Sequence, residues 1–132
     1  MEWVLVDTSS ILFGMEYRKS AIEASRTRFP DLKPLVSKGI INELTKLSLN
    51  KGKKGAAAKA ALAEITLKRI DVESISGNAD SWILARAARS EGLTVVTNDT
   101  ELARKLLNLD ASVFKMSRNG FLSRFSLAKS SR

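Results

Sequence analysis

Leu93-Thr94-Val95-Val96-Thr97-Asn98-Asp99-Thr100-Glu101-Leu102 sets a strand, a turn and a helix start end to end. The β-branched run at its front reads as a buried strand bounded by turn signals. Asn98 and Glu101 stand in capping-box spacing for a helix over about Thr100 to Leu109, which leaves Asp99 free just past the strand. The N-terminus repeats this grammar. Trp3-Val4-Leu5-Val6 is a short apolar run, and Asp7-Thr8-Ser9-Ser10 follows as a turn with hydroxyls suited to capping a helix. Two short strands are thus each followed by an acid.

Working outward, the apolar spacing from Ile11 to about Phe29 is loosely helical. Pro30 ends that stretch and Pro34 keeps another helix from starting early, with Leu35-Val36 as a very short strand. Ser37 is placed to cap a helix from Lys38 to about Ser48, with Ile40, Ile41, Leu44 and Leu47 on its apolar face. The basic loop Asn50-Lys51-Gly52-Lys53-Lys54-Gly55 leads into an alanine-rich helix, about Ala56 to Lys68. A strand is expected over Ile70 to Ile75, a helix from Ala79 to about Glu91 with Gly92 at its C-cap, and a last strand over Ser112 to Met116. The tail from Ser117 is basic and lacks acids, so the expected division is one domain over 1–116 and a mobile basic extension over 117–132. Alternating strands and helices imply a parallel sheet covered by helices on both faces. Such sheets bind ligands beyond the carboxyl ends of their strands, where strand order reverses. Asp7 and Asp99 occupy that kind of position.

Composition narrows the chemistry. The 132 residues suit one domain, and 44 % apolar content is that of a globular chain. No apolar run approaches the ~20 residues that span a bilayer. Glu2 stands where a signal peptide would carry positive charge, so a cytoplasmic protein with no membrane partner is expected. With no cysteine there is no disulfide, thiol nucleophile or zinc ribbon. With no histidine, the commonest general base and every Ser-His or Cys-His dyad are excluded. Any catalysis must use carboxylates, hydroxyls, amines or a bound metal. The net charge of +8 points to a polyanionic partner such as nucleic acid.

Against 22 basic side chains the chain holds only 14 acids, so acids in apolar settings stand out. Glu43 lies in Gly39-Ile40-Ile41-Asn42-Glu43-Leu44, and Asp80 in Asn78-Ala79-Asp80-Ser81-Trp82-Ile83-Leu84-Ala85. Helix starts at one sheet edge can aim Asp7, Glu43, Asp80 and Asp99 into one cleft. Such a cluster repels itself until a hard divalent cation such as Mg²⁺ relieves it. That ion can polarise a phosphate, generate hydroxide from water and stabilise a leaving oxygen. Singly, each acid reads as an Asx-turn or a first-turn acid complementing a helix dipole. Only the set of four carries the catalytic reading.

The segments Val4-Leu5-Val6-Asp7-Thr8-Ser9, Ile40-Ile41-Asn42-Glu43-Leu44, Ala79-Asp80-Ser81-Trp82-Ile83-Leu84-Ala85 and Val95-Val96-Thr97-Asn98-Asp99-Thr100-Glu101-Leu102 occur in an order that resembles PIN domains, which are related in fold to flap endonucleases. The resemblance covers roughly residues 3 to 116. It implies a three-layer α/β/α sandwich with a central, mostly parallel sheet. It also implies hydrolysis of RNA phosphodiester bonds by metal-activated water, with one or two Mg²⁺ or Mn²⁺ ions. Carried over by position, Asp7, Glu43, Asp80 and Asp99 are the metal-binding acids, and Thr97, with Thr8 or Ser9, orders the pocket. The setting implied is either a toxin ribonuclease, which brings an antitoxin protein as partner, or a PIN protein of the ribosomal-RNA-processing type. The ending Val113-Phe114-Lys115-Met116-Ser117-Arg118-Asn119-Gly120 is closer to the second.

Lys51, Lys53, Lys54, Arg118 and Arg124 are candidate RNA-phosphate contacts. Trp82 is expected in the core or at a homodimer contact rather than under a base. The main alternative is a PIN-fold RNA-binding module without catalysis, which would gain nothing from carboxylates facing phosphate. A phospho-receiver domain or an aspartate phosphatase needs a further acid beside Asp7, where this chain has Thr8-Ser9-Ser10.

Overall fold

The apolar run Trp3–Val6 forms β1, the central strand of a six-stranded sheet in a computed structural model that describes residues 2–126. Val4, Leu5 and Val6 are fully buried, because β1 is paired on both edges and covered on both faces. On one side lie β2 (Lys33–Ser37) and then β3 (Asp71–Glu73). On the other lie β4 (Thr94–Val96), β5 (Ser112–Met116) and β6 (Leu122–Arg124). The order is β3-β2-β1-β4-β5-β6, parallel throughout except for the antiparallel β6.

Six helices complete the expected α/β/α sandwich: α1 (Thr8–Glu16), α2 (Ala21–Arg28), α3 (Lys38–Leu47), α4 (Lys53–Leu67), α5 (Ala79–Arg89) and α6 (Thr100–Leu107). Right-handed crossovers that run outward from β1 in one direction and from β4 in the other set their helices on opposite faces. Accordingly α1, α3 and α4 pack together, as do α5 and α6. Core residues such as Ile11, Ile40, Leu44, Ile83, Leu102 and Leu106 face the sheet from these layers.

The structure departs from the sequence expectations at several places, among them the end of α5, which Ser90 rather than Gly92 closes. The helical stretch from Ile11 to Phe29 is two helices, broken where Arg18 adopts φ 58° and Ser20 caps α2 by accepting from Glu23 N at 3.0 Å. Pro34 lies inside β2, opposite Val4; it is tolerated at the strand start because β3 pairs only from Leu35 onward. The alanine-rich helix begins a turn earlier, with Lys53 and Lys54 as its exposed first residues.

A further difference concerns the boundary after Met116. Residues 122–124 turn back as β6, Phe125 N donates to Val113 O at 2.8 Å, and Phe125 is buried in the core. The first part of the expected mobile extension is therefore ordered structure; its remainder, 127–132, lies outside the described residues. Among the described residues, no helix is long and apolar enough to cross a membrane.

Candidate active site

Strand order reverses between β1 and β4, so the chain diverges at their carboxyl ends and leaves a crevice there. Asp7 opens the turn after β1, its N–H bonded to Val96 O at 2.9 Å. Asp99 follows β4 after Thr97 and Asn98 and is itself the N-cap of α6, with Oδ1 accepting from Leu102 N at 3.1 Å. This corrects the expectation that Asn98 caps the helix with Glu101. Asn98 turns the other way, where its Oδ1 accepts from Ser10 Oγ at 2.7 Å and from Met116 N at 3.0 Å, and its Nδ2 donates to Met116 O at 3.1 Å. The amide thus ties α1 and the end of β5 to the turn that carries Asp99. Asp99 keeps its second oxygen without a hydrogen bond among the described residues.

Asp7 is only 3 % exposed. Its Oδ2 accepts from Ser9 Oγ at 2.6 Å and from Thr97 Oγ1 at 2.8 Å. Burial pushes its pKa above the ordinary carboxylate value; the Ser9 and Thr97 hydroxyls oppose the shift, and the charge of Asp80 adds to it. Thr97, fully buried, also accepts from Asp99 N at 3.1 Å, so one hydroxyl joins the two acid-bearing turns.

Glu43 reaches the crevice from α3, where Thr8 Oγ1 donates to its Oε1 at 2.5 Å. Asp80 sits in the first turn of α5, whose N-cap is Asn78. Although its side chain reaches solvent, partial desolvation and then the negative charges of Asp99 and Glu43 raise its pKa, partly offset by Lys105. The four acids, drawn from four segments, therefore share one repulsive field. The start of α3, which bears Glu43, is fixed to the loop that leads into α5 and Asp80: Gly39 N donates to Ile75 O at 3.0 Å, and a Cβ on Gly39 would lie 1.8 Å from Gly77 O.

Among the described residues, no three acidic side chains converge closely enough to grip one ion between them. The donor set still fits a hard cation, being carboxylate and hydroxyl oxygens in a chain without cysteine or histidine. Mg²⁺ retains most of its waters and needs few protein ligands, and such an ion would offset the burial and, after it, the mutual repulsion that raise Asp7 and Asp80.

Trp82 is buried, with Nε1 donating to Glu73 Oε1 at 3.1 Å, so it belongs to the core and offers no face to a base or a second copy. Lys51, Lys53 and Lys54 are exposed beyond Asn50, which shares a hollow of about 480 Å³ with Thr8, Glu43 and Lys46. Sequence reasoning missed Lys46, although its position three residues after Glu43 was a readable signal. It also missed Lys105 beside Asp80 and the structural part played by Ser10 and Asn98. No local pattern announces these, because their partners lie on distant segments.

A doubly wound, mostly parallel α/β/α sandwich with acids at its switch point defines the class of fold. Within it the chain belongs to the PIN-like family, matching the PIN like domain over residues 4–119. Its fold is similar to that of the PIN domain endonuclease Utp24, with a TM-score of 0.73 and 21 % identity over 92 % of this chain and 91 % of that one. A domain of a functionally unknown protein from Methanocaldococcus jannaschii DSM 2661 is also similar, with a TM-score of 0.61 and 15 % identity over 89 % of this chain and 92 % of that one. No curated protein matches the sequence.

Proposed function

We propose that this chain is a Mg²⁺- or Mn²⁺-dependent endoribonuclease, with Asp7, Glu43, Asp80 and Asp99 as its metal-binding carboxylates. The observation that carries the reading is the shared field of these four acids at the switch point, maintained at the expense of raised pKa values on Asp7 and Asp80. Family membership and the fold shared with a PIN endonuclease support it, and the net charge of +8 suits an RNA partner.

In this reading a divalent ion supplies a polarised water and neutralises charge at the scissile phosphate. The chain's own residues do the positioning. Thr97 and Ser9 hold Asp7 in one rotamer through Oδ2. Thr8 fixes Glu43, and the α6 cap orients Asp99 with its second oxygen unbonded. Lys46 and Lys105 flank the acids and stand ready to meet phosphate oxygens. No covalent intermediate is needed. We place the activity in RNA processing; in the toxin setting, a small antitoxin would co-purify with the chain.

That no three acids converge favours a second reading, an RNA-binding module without hydrolysis. One experiment separates the two: incubation of a labelled, mixed-sequence single-stranded RNA with Mn²⁺, Mg²⁺ or EDTA, using wild type and Asp99→Asn. Metal-dependent cutting that the variant loses supports the nuclease. Salt-dependent binding without cutting under any metal supports the binding module.

A further inference from the structure

The turn after β5 leaves the sheet at its carboxyl edge, the edge from which Asp7 and Asp99 also emerge. Asn98 binds Met116 at the end of that strand, so the turn is tied directly to the acid site. Between this β5–β6 hairpin and α2 runs a cleft of about 550 Å³, lined among others by Lys19, Arg28 and Phe121.

Phe121 is 68 % exposed at the cleft's rim, yet its backbone is fixed. Its carbonyl accepts from Ser117 N at 3.0 Å, and its N–H donates to Asn119 Oδ1 at 3.2 Å. An aromatic ring this exposed on a fixed backbone contributes little packing to the fold. The guanidinium groups of Arg28, in the cleft wall, and Arg124, on β6, lie 5.1 and 5.0 Å from the centroid of the same ring, that of Phe114. Among the described residues no carboxylate pairs with either arginine, nor with Arg118, which stacks 5.8 Å from exposed Tyr17. Glu23, the acid within the cleft, is already held by Lys68 at 2.8 Å and Arg26 at 3.1 Å. Two exposed guanidinium groups beside one ring, neither paired with a carboxylate among the described residues, form a cationic spot suited to phosphate oxygens.

We propose that this cleft, together with Arg124 across the Phe114 ring from Arg28, binds the single-stranded RNA flanking the cleavage site, with a base stacked on Phe121 and successive phosphates on Arg28 and Arg124. Lys19 in the cleft wall and Arg118 beside Tyr17 add further positive charge to this surface. The inference rests on RNA being the substrate. It specifies an unpaired strand, because only an unstacked base presents its face to an aromatic side chain.

The test is fluorescence anisotropy of a labelled unstructured 12-nucleotide RNA with the full chain in EDTA, where no cutting intervenes. Phe121→Ala should weaken binding about tenfold, within the range for one stacked base, and Phe121→Trp should restore it. The double variant Arg28→Gln, Arg124→Gln should flatten the slope of log affinity against log salt by about 1.4, as expected for two single-strand phosphate contacts. A duplex of the same length should be insensitive to Phe121→Ala. Unchanged single-strand binding in Phe121→Ala, or an equal loss on the duplex, overturns the proposal. Because the readout is binding, it stands or falls separately from hydrolysis: a chain that binds in this way and never cuts refutes the nuclease alone.

Discussion

Thr97 Oγ1 donates to Asp7 Oδ2 at 2.8 Å, across ninety residues of sequence, and itself accepts from Asp99 N at 3.1 Å. The geometry makes a single side chain responsible for the relative position of two proposed metal ligands. β1 and β4 pair directly, so the connection is short and buried, and nothing in solvent can replace it.

Replacing Thr97 with valine keeps the shape and removes the hydroxyl. The variant should lose about 1–3 kcal/mol of stability, because it leaves a buried carboxylate and a backbone N–H short of a partner. Cleavage of single-stranded RNA should fall by about 10–100-fold, the usual effect of losing a group that orients a ligand. Thr97→Ser should recover most of both. Urea unfolding and a cleavage assay on the three proteins would check this, and full activity in the valine variant would remove Thr97 from the site.

Asp7→Asn should separate stability from activity. The folded-state pKa of Asp7 is raised above its unfolded value, chiefly by burial. The folded state therefore holds the proton more tightly, and that contribution to stability is full below the unfolded pKa and lost as pH rises through the folded one. At neutral pH and without metal, the wild type carries a buried charge that asparagine does not. The variant should melt a few degrees higher near pH 7 in EDTA, with the gap closing as the pH falls toward 4 (roughly 3–5 °C per kcal/mol in a domain of this size). Cleavage should drop by more than about a hundredfold. A variant that melts lower at pH 7 than at pH 4, relative to wild type, would contradict the burial argument.

The strands and the acids were legible for different reasons. Val4 to Val6 and Val95 to Val96 are buried on both faces, so continuous apolar runs announced them. Asp7 was readable because it directly follows such a run, and Asp99 because it lies just past one. The choice between Asn98 and Asp99 as helix cap was not readable. Both are good caps by type, and it is the distant Ser10 and Met116 that claim Asn98. β6 was hidden because Leu122-Ser123-Arg124 carries little strand character of its own; it is held by pairing with β5 and by the burial of Phe125. Trp82, whose place among Ile83 and Leu84 left it for the core or a dimer contact, lies in the core on the buried face of α5.

Metal binding should be visible without catalysis. Mn²⁺ at ten times its Kd would stabilise the wild type by about 1.4 kcal/mol, a rise in Tm of several degrees by thermal melting. Glu43→Gln should keep the hydrogen bond from Thr8, since an amide oxygen also accepts, while losing the charge. Its metal-dependent rise should be smaller at each Mn²⁺ concentration, and its Tm in EDTA should match or exceed that of wild type. An undiminished rise would take Glu43 out of the metal site.

Gly39→Ala tests how the two helices that bring Glu43 and Asp80 are joined. A Cβ on Gly39 would lie 1.8 Å from Gly77 O and 2.9 Å from Gly77 C, both backbone atoms that cannot rotate aside. Relief requires α3 to move away from the turn before α5, breaking the 3.0 Å bond from Gly39 N to Ile75 O. Overpacking of this kind costs about 3 kcal/mol, read as a lower urea midpoint with little change in slope. Gly77→Ala makes an informative partner. Its Cβ would meet nothing within 4 Å, but its φ of +104° is one that an alanine adopts only with strain of about 1–3 kcal/mol. Both variants should lose stability. Only Gly39→Ala must shift Glu43 relative to Asp80, so only it should lose Mn²⁺ stabilisation and cleavage at temperatures where the protein remains folded.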